Sequence, residues 1–268
     1  MTRDPISGPL VVKLGGRALE GPEATGELAR ALARLERGAV VVHGGGAEVS
    51  AWAQRLGLVP RFAKGRRVTD PATLEVVVAV LAGLANKRLV AALRAHGLDA
   101  VGLAAVDGGL VEAVPHREAG SLGAVGTVAR VDPSLLVTLL AQGRTPVVAS
   151  VAAHAGGLLN VNADDLAAAL APALGSAALL LLSDTPHLVL DGATVTNLSL
   201  TGLERALAHP DVRDGMGPKL EAARAALVGG VPLVHLARWE GPDTLAALLQ
   251  GGAPGTSIAP VEGEISHV

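Results

Sequence analysis

Short apolar runs alternate with segments of helical periodicity along most of the chain, and this alternation restricts the fold more than any other feature. The runs that predict strands lie at residues 10–14, 39–42, 100–103, 125–131, 146–149, 178–182 and 231–236. The helical patterns fall at 23–36, 71–96, 133–141, 164–170, 200–208, 218–228 and 242–249. Buried strands that alternate with helices form a mostly parallel sheet with helices on both faces. The sequence therefore predicts an α/β fold.

The middle of the chain departs from this alternation. Residues 105–131 contain short β-type runs around the turn sequence Asp107-Gly108-Gly109, which predicts a region rich in hairpins. The 268 residues are enough for one large domain or two small ones. Half of the residues are hydrophobic but only 1% are aromatic, so the core must consist of Ala, Val and Leu.

Composition excludes several classes of protein. The chain has no cysteine, which rules out disulfides and thiolate metal sites. Its net charge is −3 and it has no basic block, so no nucleic-acid partner is expected. The start, MTRDPISGP, has no apolar stretch typical of a signal peptide, and the apolar run at 76–85 is too short to span a bilayer. We expect a soluble, cytoplasmic protein with no membrane partner.

The stretch VVHGGGAEVS, residues 41–50, places three glycines between a predicted strand and a helix-like segment. Consecutive glycines let backbone N–H groups approach a ligand, and a following helix start favours negative charge. The pattern fits either a site for an anion or oxyanion, or a tight turn with no ligand.

Two of the four lysines have unusual settings. Lys13 closes an apolar strand just before two glycines, and an unpaired buried ammonium is costly. Lys219 follows Pro218 at a helix start, where the helix dipole disfavours a cation. A bound phosphate would explain both lysines. An edge strand at Lys13 and a solvent-facing side chain at Lys219 are the alternatives.

Two further stretches offer polar groups that can bind a ligand. LNVNADD, residues 159–165, has more candidate helix caps than one helix needs, and Asp164 is suited to position either the lysines or Mg²⁺. KGRRVTD, residues 64–70, presents two arginines that fit either a carboxylate or a solvated loop. The eight histidines show no metal-ligand spacing, and no P-loop or dinucleotide-binding glycine motif is present.

Taken in order, nine stretches resemble the amino acid kinase family, and most closely its branch that phosphorylates N-acetyl-L-glutamate. They are VVKLGG, VVHGGG, GRRVTD, LANKRLV, GLAAVDGG, NVNADDLAAALA, LLLLSD, DGMGPKL and PGTSI, and they extend from residue 11 to about residue 258. Each stretch is weakly specific alone, whereas nine in the family's order are highly specific.

The resemblance implies a three-layer αβα sandwich around a mostly parallel sheet, in a single domain of residues 1–268. An N-terminal lobe of about residues 1–174 would bind the acyl amino acid and form a dimer interface. A C-terminal lobe of about residues 175–268 would bind ATP. The implied reaction transfers the γ-phosphoryl group of ATP, with Mg²⁺, to the side-chain carboxylate of N-acetyl-L-glutamate, the second step of arginine biosynthesis from glutamate.

The resemblance also assigns roles to individual residues. The catalytic group would be Lys13, Lys219 and Asp164, in which the aspartate orients two lysines that flank the phosphoryl group. The acceptor would bind through Gly44, Gly45, Arg67 and Asn160. The nucleotide and its phosphates would bind through Gly15, Gly16, Ser183, Asp184 and Gly215. No dedicated protein metal site is implied.

One position departs from the family pattern, and two alternatives remain open. His187 stands where the family has a glycine after its Ser-Asp motif, which affects the nucleotide loop. One alternative is a kinase of carrier-protein-linked aminoadipate or glutamate; the short loop before Arg67 and the presence of Gly46 favour the free acceptor. The other is a non-catalytic amino acid or nucleotide sensor. From the short segment before Leu10 we expect a homodimer that arginine does not inhibit.

Overall fold

The computed structural model describes residues 8–15, 21–35, 37–63, 65–185, 187–213, 215–250 and 255–261. The strands are β1 (Leu10–Leu14), β2 (Ala39–His43), β3 (Phe62–Ala63), β4 (Arg66–Arg67), β5 (Ala100–Ala104), β6 (Val111–Pro115), β7 (Val125–Val131), β8 (Thr145–Ala149), β9 (Val151–His154), β10 (Gly157–Val161), β11 (Ala178–Leu182), β12 (Leu188–Leu190), β13 (Ala193–Val195), β14 (Asn197–Ser199), β15 (Val234–Ala237) and β16 (Thr256–Ala259).

The helices are α1 (Gly21–Ala33), α2 (Gly46–Arg55), α3 (Pro71–Val78), α4 (Asn86–Ala95), α5 (Ala119–Leu122), α6 (Ser134–Ala141), α7 (Ala163–Ala173), α8 (Leu200–Leu207), α9 (Met216–Val228) and α10 (Thr244–Leu249). A π-helical segment, Ala79–Ala85, joins α3 to α4 without a break, and a 3₁₀ turn occupies Asp107–Gly109.

Eight strands form the central sheet, in the order β14-β16-β15-β11-β1-β2-β8-β5. Every neighbouring pair is parallel except β15 and β16, which are antiparallel. A largely parallel sheet needs helices on both faces to bury its side chains. One core packs α6, α7, α8 and α9 on one face, and a second packs α1, α4 and α10 on the other. The predicted three-layer αβα sandwich is confirmed.

The central strand β1 shows why these runs lack the alternation of a half-exposed strand. Leu10, Val12 and Leu14 point into one core, whereas Val11 points into the other. Both faces of the strand are therefore buried, and four of its five residues are aliphatic. Successive side chains alternate between faces, so a strand covered on both sides reads as a continuous apolar run.

The hairpin-rich region predicted at 105–131 belongs to a second, smaller sheet. In it β6, β7, β9 and β10 pair into a closed four-stranded barrel. The first turn forms at Asp107–Gly109, as the sequence predicted. The strands β9 and β10 were not predicted, because residues 151–161 carry no sustained period.

The long helix from Pro71 to Ala95 begins and ends where the sequence predicted. The carboxylate of Asp70 accepts a hydrogen bond of 2.8 Å from the backbone N–H of Thr73, which caps the start. Gly97, with φ of 92°, follows the end. By length and composition this helix is apolar enough to cross a membrane. Of its apolar stretch of 18 residues, 39% is buried inside the protein.

Some boundaries differ from the prediction. The strand expected at 231–236 is observed at Val234–Ala237, and the helix expected at 242–249 begins at Thr244. The short strands β12, β13, β14 and β16 were not predicted as strands. Each has only three or four residues, so hydrogen bonds to a partner strand define it rather than a sequence period.

Candidate active site

Three charged residues that are far apart in the sequence meet at one edge of the central sheet. Lys13 lies near the carboxyl end of β1, Asp164 in the first turn of α7 and Lys219 in the first turn of α9. Ligands of open parallel sheets bind outside the carboxyl ends of the strands. The fold therefore places these three side chains at the edge where a substrate is expected.

Both ammonium groups face the same carboxylate. Nζ of Lys13 lies 2.8 Å from Oδ1 of Asp164, and Nζ of Lys219 lies 3.7 Å from Oδ2. The side chains of the lysines are only 10% and 15% exposed. The alternatives left open by the sequence are excluded, because β1 is a central strand between β2 and β11 and Lys219 does not extend into solvent.

The electrostatics of the cluster favour an ionised aspartate. Burial by itself raises the pKa of Asp164, but the charges of Lys13 and Lys219 outweigh burial and hold its pKa below the ordinary value. Two cations and one anion leave a net positive charge in a buried cleft. Such a cluster is arranged to receive an anion.

Gly15 lies directly beside the ammonium of Lys13. A Cβ atom built on Gly15 would lie 3.0 Å from Nζ of Lys13. A side chain there would therefore press on the end of the lysine side chain and shift the ammonium by a few tenths of an ångström. Gly16, the second glycine predicted at this site, lies outside the described residues.

The glycines after β2 stand at the boundary between two cavities. A cavity of about 740 Å³ is lined by Lys13, Gly15 and Asp164, and one of about 170 Å³ is lined by Arg67 and Asn160. Both cavities are also lined by residues 44–46 and by the start of α7. A ligand in the smaller cavity can therefore present one end to the lysines across the glycine loop.

Arg67 is buried beside the smaller cavity, and only one of its two terminal guanidinium nitrogens forms hydrogen bonds within the described residues. Its Nη2 donates to the carbonyl of Gly46 at 2.7 Å and to Oγ of Ser50 at 2.8 Å. Its buried Nη1 has no hydrogen-bond partner among the described residues. The ring of Phe62 lies 4.7 Å from the guanidinium carbon and covers one face of it. A buried guanidinium with a free donor is suited to a carboxylate.

Asn160 lies on β10 beside this arginine and is held in place by Thr69. Its Nδ2 donates to Oγ1 of Thr69 at 3.1 Å, and Oγ1 of Thr69 donates to the carbonyl of Arg67. The amide therefore lines the smaller cavity in a fixed orientation.

Of the predicted nucleotide residues, Gly15 lines the larger cavity, whereas Ser183, Asp184 and Gly215 line neither of the two cavities. Ser183 and Asp184 directly follow β11, and the guanidinium of Arg238 donates two hydrogen bonds to the carbonyl of Asp184. Gly215 precedes the first residue of α9. His187 directly precedes β12. Pro186 and Asp214 lie outside the described residues.

Sequence reasoning missed two groups of residues that position this site. Arg66 donates to Asp165 at 2.8 Å, which ties the β3–β4 hairpin to α7 beside the cleft. On the opposite side of the glycine loop, His43 contacts Asn86, which is fully buried. The stretch LANKRLV contained this asparagine, but only the tertiary structure brings it to the histidine.

Within the described part of the cleft, Asp164 has neither carboxylate oxygen free for a metal ion. Both oxygens of Asp164 face lysine ammonium groups, so a metal would have to displace one of them. Among the described residues, ligand atoms of Asp191, His209 and Asp211 lie within 4.8 Å of one another. These three line neither cavity, and carboxylate oxygens of Asp191 and Asp211 lie 3.5 Å and 3.7 Å from the ring nitrogens of His209.

Comparison with known proteins agrees with this geometry. The profile of the amino acid kinase family matches residues 8–238. The chain is 42% identical over 245 residues to an acetylglutamate kinase from Chloroflexus aurantiacus, covering 90% of this chain and 94% of the relative. It is 43% identical over 241 residues to an acetylglutamate kinase from Methanopyrus kandleri, covering 86% and 95% of the two chains.

Among solved structures, the fold is similar to N-acetylglutamate synthase from Neisseria gonorrhoeae complexed with coenzyme A and N-acetyl-glutamate. The TM-score is 0.81 at 25% identity, over 96% of this chain and 60% of that one. The family profile covers most of the chain, and the relatives are similar over nearly their whole length. The chain belongs to the amino acid kinase family.

Proposed function

We propose that this protein is an acetylglutamate kinase. It transfers the γ-phosphoryl group of ATP to the side-chain carboxylate of N-acetyl-L-glutamate, giving N-acetyl-L-glutamyl 5-phosphate and ADP, the second step of arginine biosynthesis from glutamate. The observation that carries the proposal is the buried cluster in which Lys13 and Lys219 share Asp164 at the carboxyl edge of the sheet. The activity named for the relatives at 42% and 43% identity is the same.

The smaller cavity fits the acceptor. We assign the free donor of Arg67 to the α-carboxylate and the amide of Asn160 to the acetamido or carboxylate end of acetylglutamate. The side-chain carboxylate then reaches Gly44 and Gly45, whose N–H groups serve its oxygens. Gly45 precedes α2 and provides no side-chain cap for it, so the first N–H groups of the helix are left to an anionic ligand.

The lysines act on the phosphoryl group as it moves. One oxygen of the ionised acceptor carboxylate forms a bond to the γ-phosphorus while the bond to the β,γ-bridging oxygen breaks, and ADP leaves. No proton has to be removed from the carboxylate, so the reaction needs no general base. Lys13 and Lys219 stabilise the charge on the transferred oxygens, and Asp164 holds both ammonium groups towards one point.

We place the nucleotide in the C-terminal lobe, about residues 175–268, and the acceptor in the N-terminal lobe, about residues 1–174. Ser183, Asp184 and Gly215 would bind the nucleotide, with Gly15 and Gly16 at its phosphates. Because Asp164 has both oxygens engaged by lysines, Mg²⁺ is expected to arrive bound to the phosphates of ATP and not to a protein carboxylate.

The test is an acyl-phosphate assay in which hydroxylamine traps the product. With ATP and Mg²⁺, we expect hydroxamate from acetylglutamate and at least about tenfold lower kcat/KM with glutamate, aspartate or aminoadipate, because each loses polar contacts. Acetamidobutyrate, which has the reactive carboxylate and the acetamido group but lacks the α-carboxylate, is the matched control for Arg67. It should be phosphorylated at least about tenfold less efficiently.

The same assay separates the alternatives. If the protein phosphorylates only carrier-linked aminoadipate or glutamate, free acetylglutamate is not its acceptor and the carrier-linked alternative is correct. Binding of acetylglutamate or ATP without hydroxamate from any acceptor would leave a sensor of the same fold and would refute the kinase.

We further propose a soluble cytoplasmic homodimer built on the helix from Pro71 to Ala95. Leu84 in its π segment is partly exposed and belongs to no core cluster of the described residues. A second copy covers this apolar face without a membrane. The net charge of −3 gives no support for a nucleic-acid partner.

Light scattering of the wild type should give twice the chain mass of 26.8 kDa, and Leu84→Glu should give the monomer. Val137→Glu, at an apolar side chain that is 52% exposed on α6, is the control and should stay dimeric. A hexamer, or a monomeric wild type, would contradict this assembly. The expected insensitivity to arginine rests on the segment before Leu10, whose residues 1–7 lie outside the described range, and it stays a prediction.

A further inference from the structure

A buried polar network lies behind the glycine loop, and the reaction described above does not use it. At its centre is Asn86, the first residue of α4, which is completely buried. Its Nδ2 lies 2.9 Å from the carbonyl oxygen of Val147, 3.0 Å from Nε2 of His43 and 3.3 Å from the carbonyl oxygen of Leu103, and its two hydrogens serve the two shorter contacts. One amide thus joins three neighbouring strands, β2, β8 and β5, near the edge that carries the site.

Lys87 determines the orientation of the Asn86 amide, that is, which side carries Oδ1 and which carries Nδ2. Its ammonium donates to Oδ1 of Asn86 at 2.9 Å and to the carbonyl of Gly102 at 3.2 Å. An ammonium has only donors, so it must face the oxygen of the amide, and the NH₂ group must face His43. A Cβ atom on Gly102 would lie 2.2 Å from Oδ1 of Asn86, so this arrangement also requires a glycine in β5.

The amide in turn fixes the proton of His43. Because Nε2 faces an NH₂ donor, it has to accept, and the single proton of the neutral ring lies on Nδ1. Nδ1 is 2.8 Å from the carbonyl of Gly44 and donates to it. Burial lowers the pKa of His43 and outweighs the hydrogen bond to Gly44, which raises it, while the charge of Lys87 also lowers it; this direction agrees with a neutral ring.

This hydrogen bond orients the peptide group between Gly44 and Gly45. In a trans peptide the C=O and N–H bonds point in opposite directions. Holding the carbonyl of Gly44 towards the imidazole therefore turns the N–H of Gly45 away from it. Glycine loses more conformational freedom on folding than any other residue, so a hydrogen bond from outside this run of three glycines helps to fix its peptides.

We propose that His43, held in its Nδ1–H form by Asn86 and Lys87, is a positioning residue that presents the N–H of Gly45 to the oxygens of the phosphoryl acceptor. The inference rests on the proposed function. His43 transfers no proton in this scheme, because both ring nitrogens are engaged by protein groups. It acts through the peptide that follows it.

Two substitutions of His43 separate positioning from space filling. The amide nitrogen of Asn occupies the place of Nδ1 and can donate to Gly44, whereas the terminal amide of Gln reaches the place of Nε2 and leaves Gly44 without its donor. We expect His43→Asn to keep kcat within about fivefold and His43→Gln to lose about 50-fold, with smaller changes in KM. If His43 only filled space, Gln, which is closer to histidine in volume, would be the better replacement.

A second readout does not depend on activity. ¹⁵N spectra at neutral pH should show His43 protonated at Nδ1, with its signal among the eight histidines assigned by its loss in His43→Asn. Asn86→Asp places a carboxylate oxygen opposite Nε2 and should move a proton onto that nitrogen. A proton on Nε2 in the wild type, or a His43→Gln chain at least as active as His43→Asn, would overturn the inference.

The two proposals fail in different ways. If the wild type forms no hydroxamate with any acceptor, the proposed function is refuted. The position of the proton on His43 in the wild type then still tests whether the hydrogen-bond network sets the tautomer. If the wild type is active but its His43 carries the proton on Nε2, the kinase stands and the positioning role is refuted. Should both His43 variants melt below the assay temperature, the spectrum of the wild type remains decisive.

Discussion

Lys13→Met should lower kcat for acetylglutamate phosphorylation by about 1,000-fold or more while changing either KM by less than about fivefold. The ammonium offsets charge that is most exposed on the phosphoryl oxygens in the transition state, so its loss affects turnover more than ground-state binding. Lys219→Met should behave similarly, because its ammonium faces the same carboxylate from the other side.

Arginine should not restore activity at either position. The ammonium of Lys13 is a compact point charge 2.8 Å from Asp164, whereas a guanidinium is a wider planar group that does not place a donor at the same point. We therefore expect Lys13→Arg and Lys219→Arg each to lose turnover far more than substrate affinity. Arg224→Met is the matched control, because it removes a cation from the exposed face of the same helix as Lys219.

Steady-state kinetics with both substrates, together with melting temperatures, measure these effects. The control should retain wild-type kcat. A Lys13→Met chain that is folded and keeps more than about a tenth of kcat would show that this ammonium does not stabilise the transferred group.

Asp164→Asn should destabilise the protein by about 3–5 kcal/mol, because it leaves two buried ammonium groups side by side without a counter-charge. The aspartate is 5% exposed and faces both lysines. Asp99→Asn is the matched control: this aspartate also pairs with two cations, Arg94 and Arg144, but its side chain is 49% exposed. Removing an exposed carboxylate of that kind should cost less than about 1 kcal/mol.

Sulfate provides a positive test of the same charge arrangement. An anion that enters the cleft supplies the missing negative charge, so it should raise the melting temperature of Asp164→Asn more than that of the wild type. Urea unfolding and thermal scans with and without sulfate measure both effects. Equal stability of the Asp164→Asn and Asp99→Asn chains would contradict a buried charge cluster.

The pH dependence follows from the lowered pKa of Asp164. A carboxyl whose pKa is lower in the folded state stabilises the fold above its unfolded pKa, and this contribution is lost as the pH falls through the folded value. The difference in stability between wild type and Asp164→Asn should therefore be constant between about pH 5 and 7 and narrow below the ordinary aspartate value of 3.8. If the difference in stability instead grew as the pH fell, the pKa of Asp164 would not be lowered in the folded state.

The strands and helices with long, regular patterns could be predicted because the spacing of their apolar residues shows which faces are buried. Leu10–Leu14 is apolar throughout because helices cover both faces of its sheet, and Asp70-Pro71 with Gly97 marks the ends of the long helix by local chemistry. Short strands such as β12 and β14 have too few residues for a period. Their pairing partners, β13 and β16, decide that they are strands.

The candidate site was predictable in its residue types but not in its contacts. Lys13 and Lys219 were conspicuous because each lies in a setting that disfavours a cation unless an anion is near. The sequence left an edge strand and a solvent-facing lysine as alternatives, and only the position of β1 between two parallel strands excluded the first. The partners of His43 could not be predicted, because Asn86 is 43 residues away and no local pattern relates the two.

By itself the sequence determined the α/β class, the apolar strands, the helix ends and the residue types from which the site is built. These depend on local properties such as burial period, capping and glycine content, and each can be read within a few residues. The tertiary structure alone decided that two ammonium groups share one carboxylate, that Nη1 of Arg67 has no partner among the described residues, and that the amide of Asn86 lies against Nε2 of His43. Those contacts join segments that are far apart in the chain. Electrostatic interactions and hydrogen bonds depend on the distance between two groups in space, which the sequence does not state.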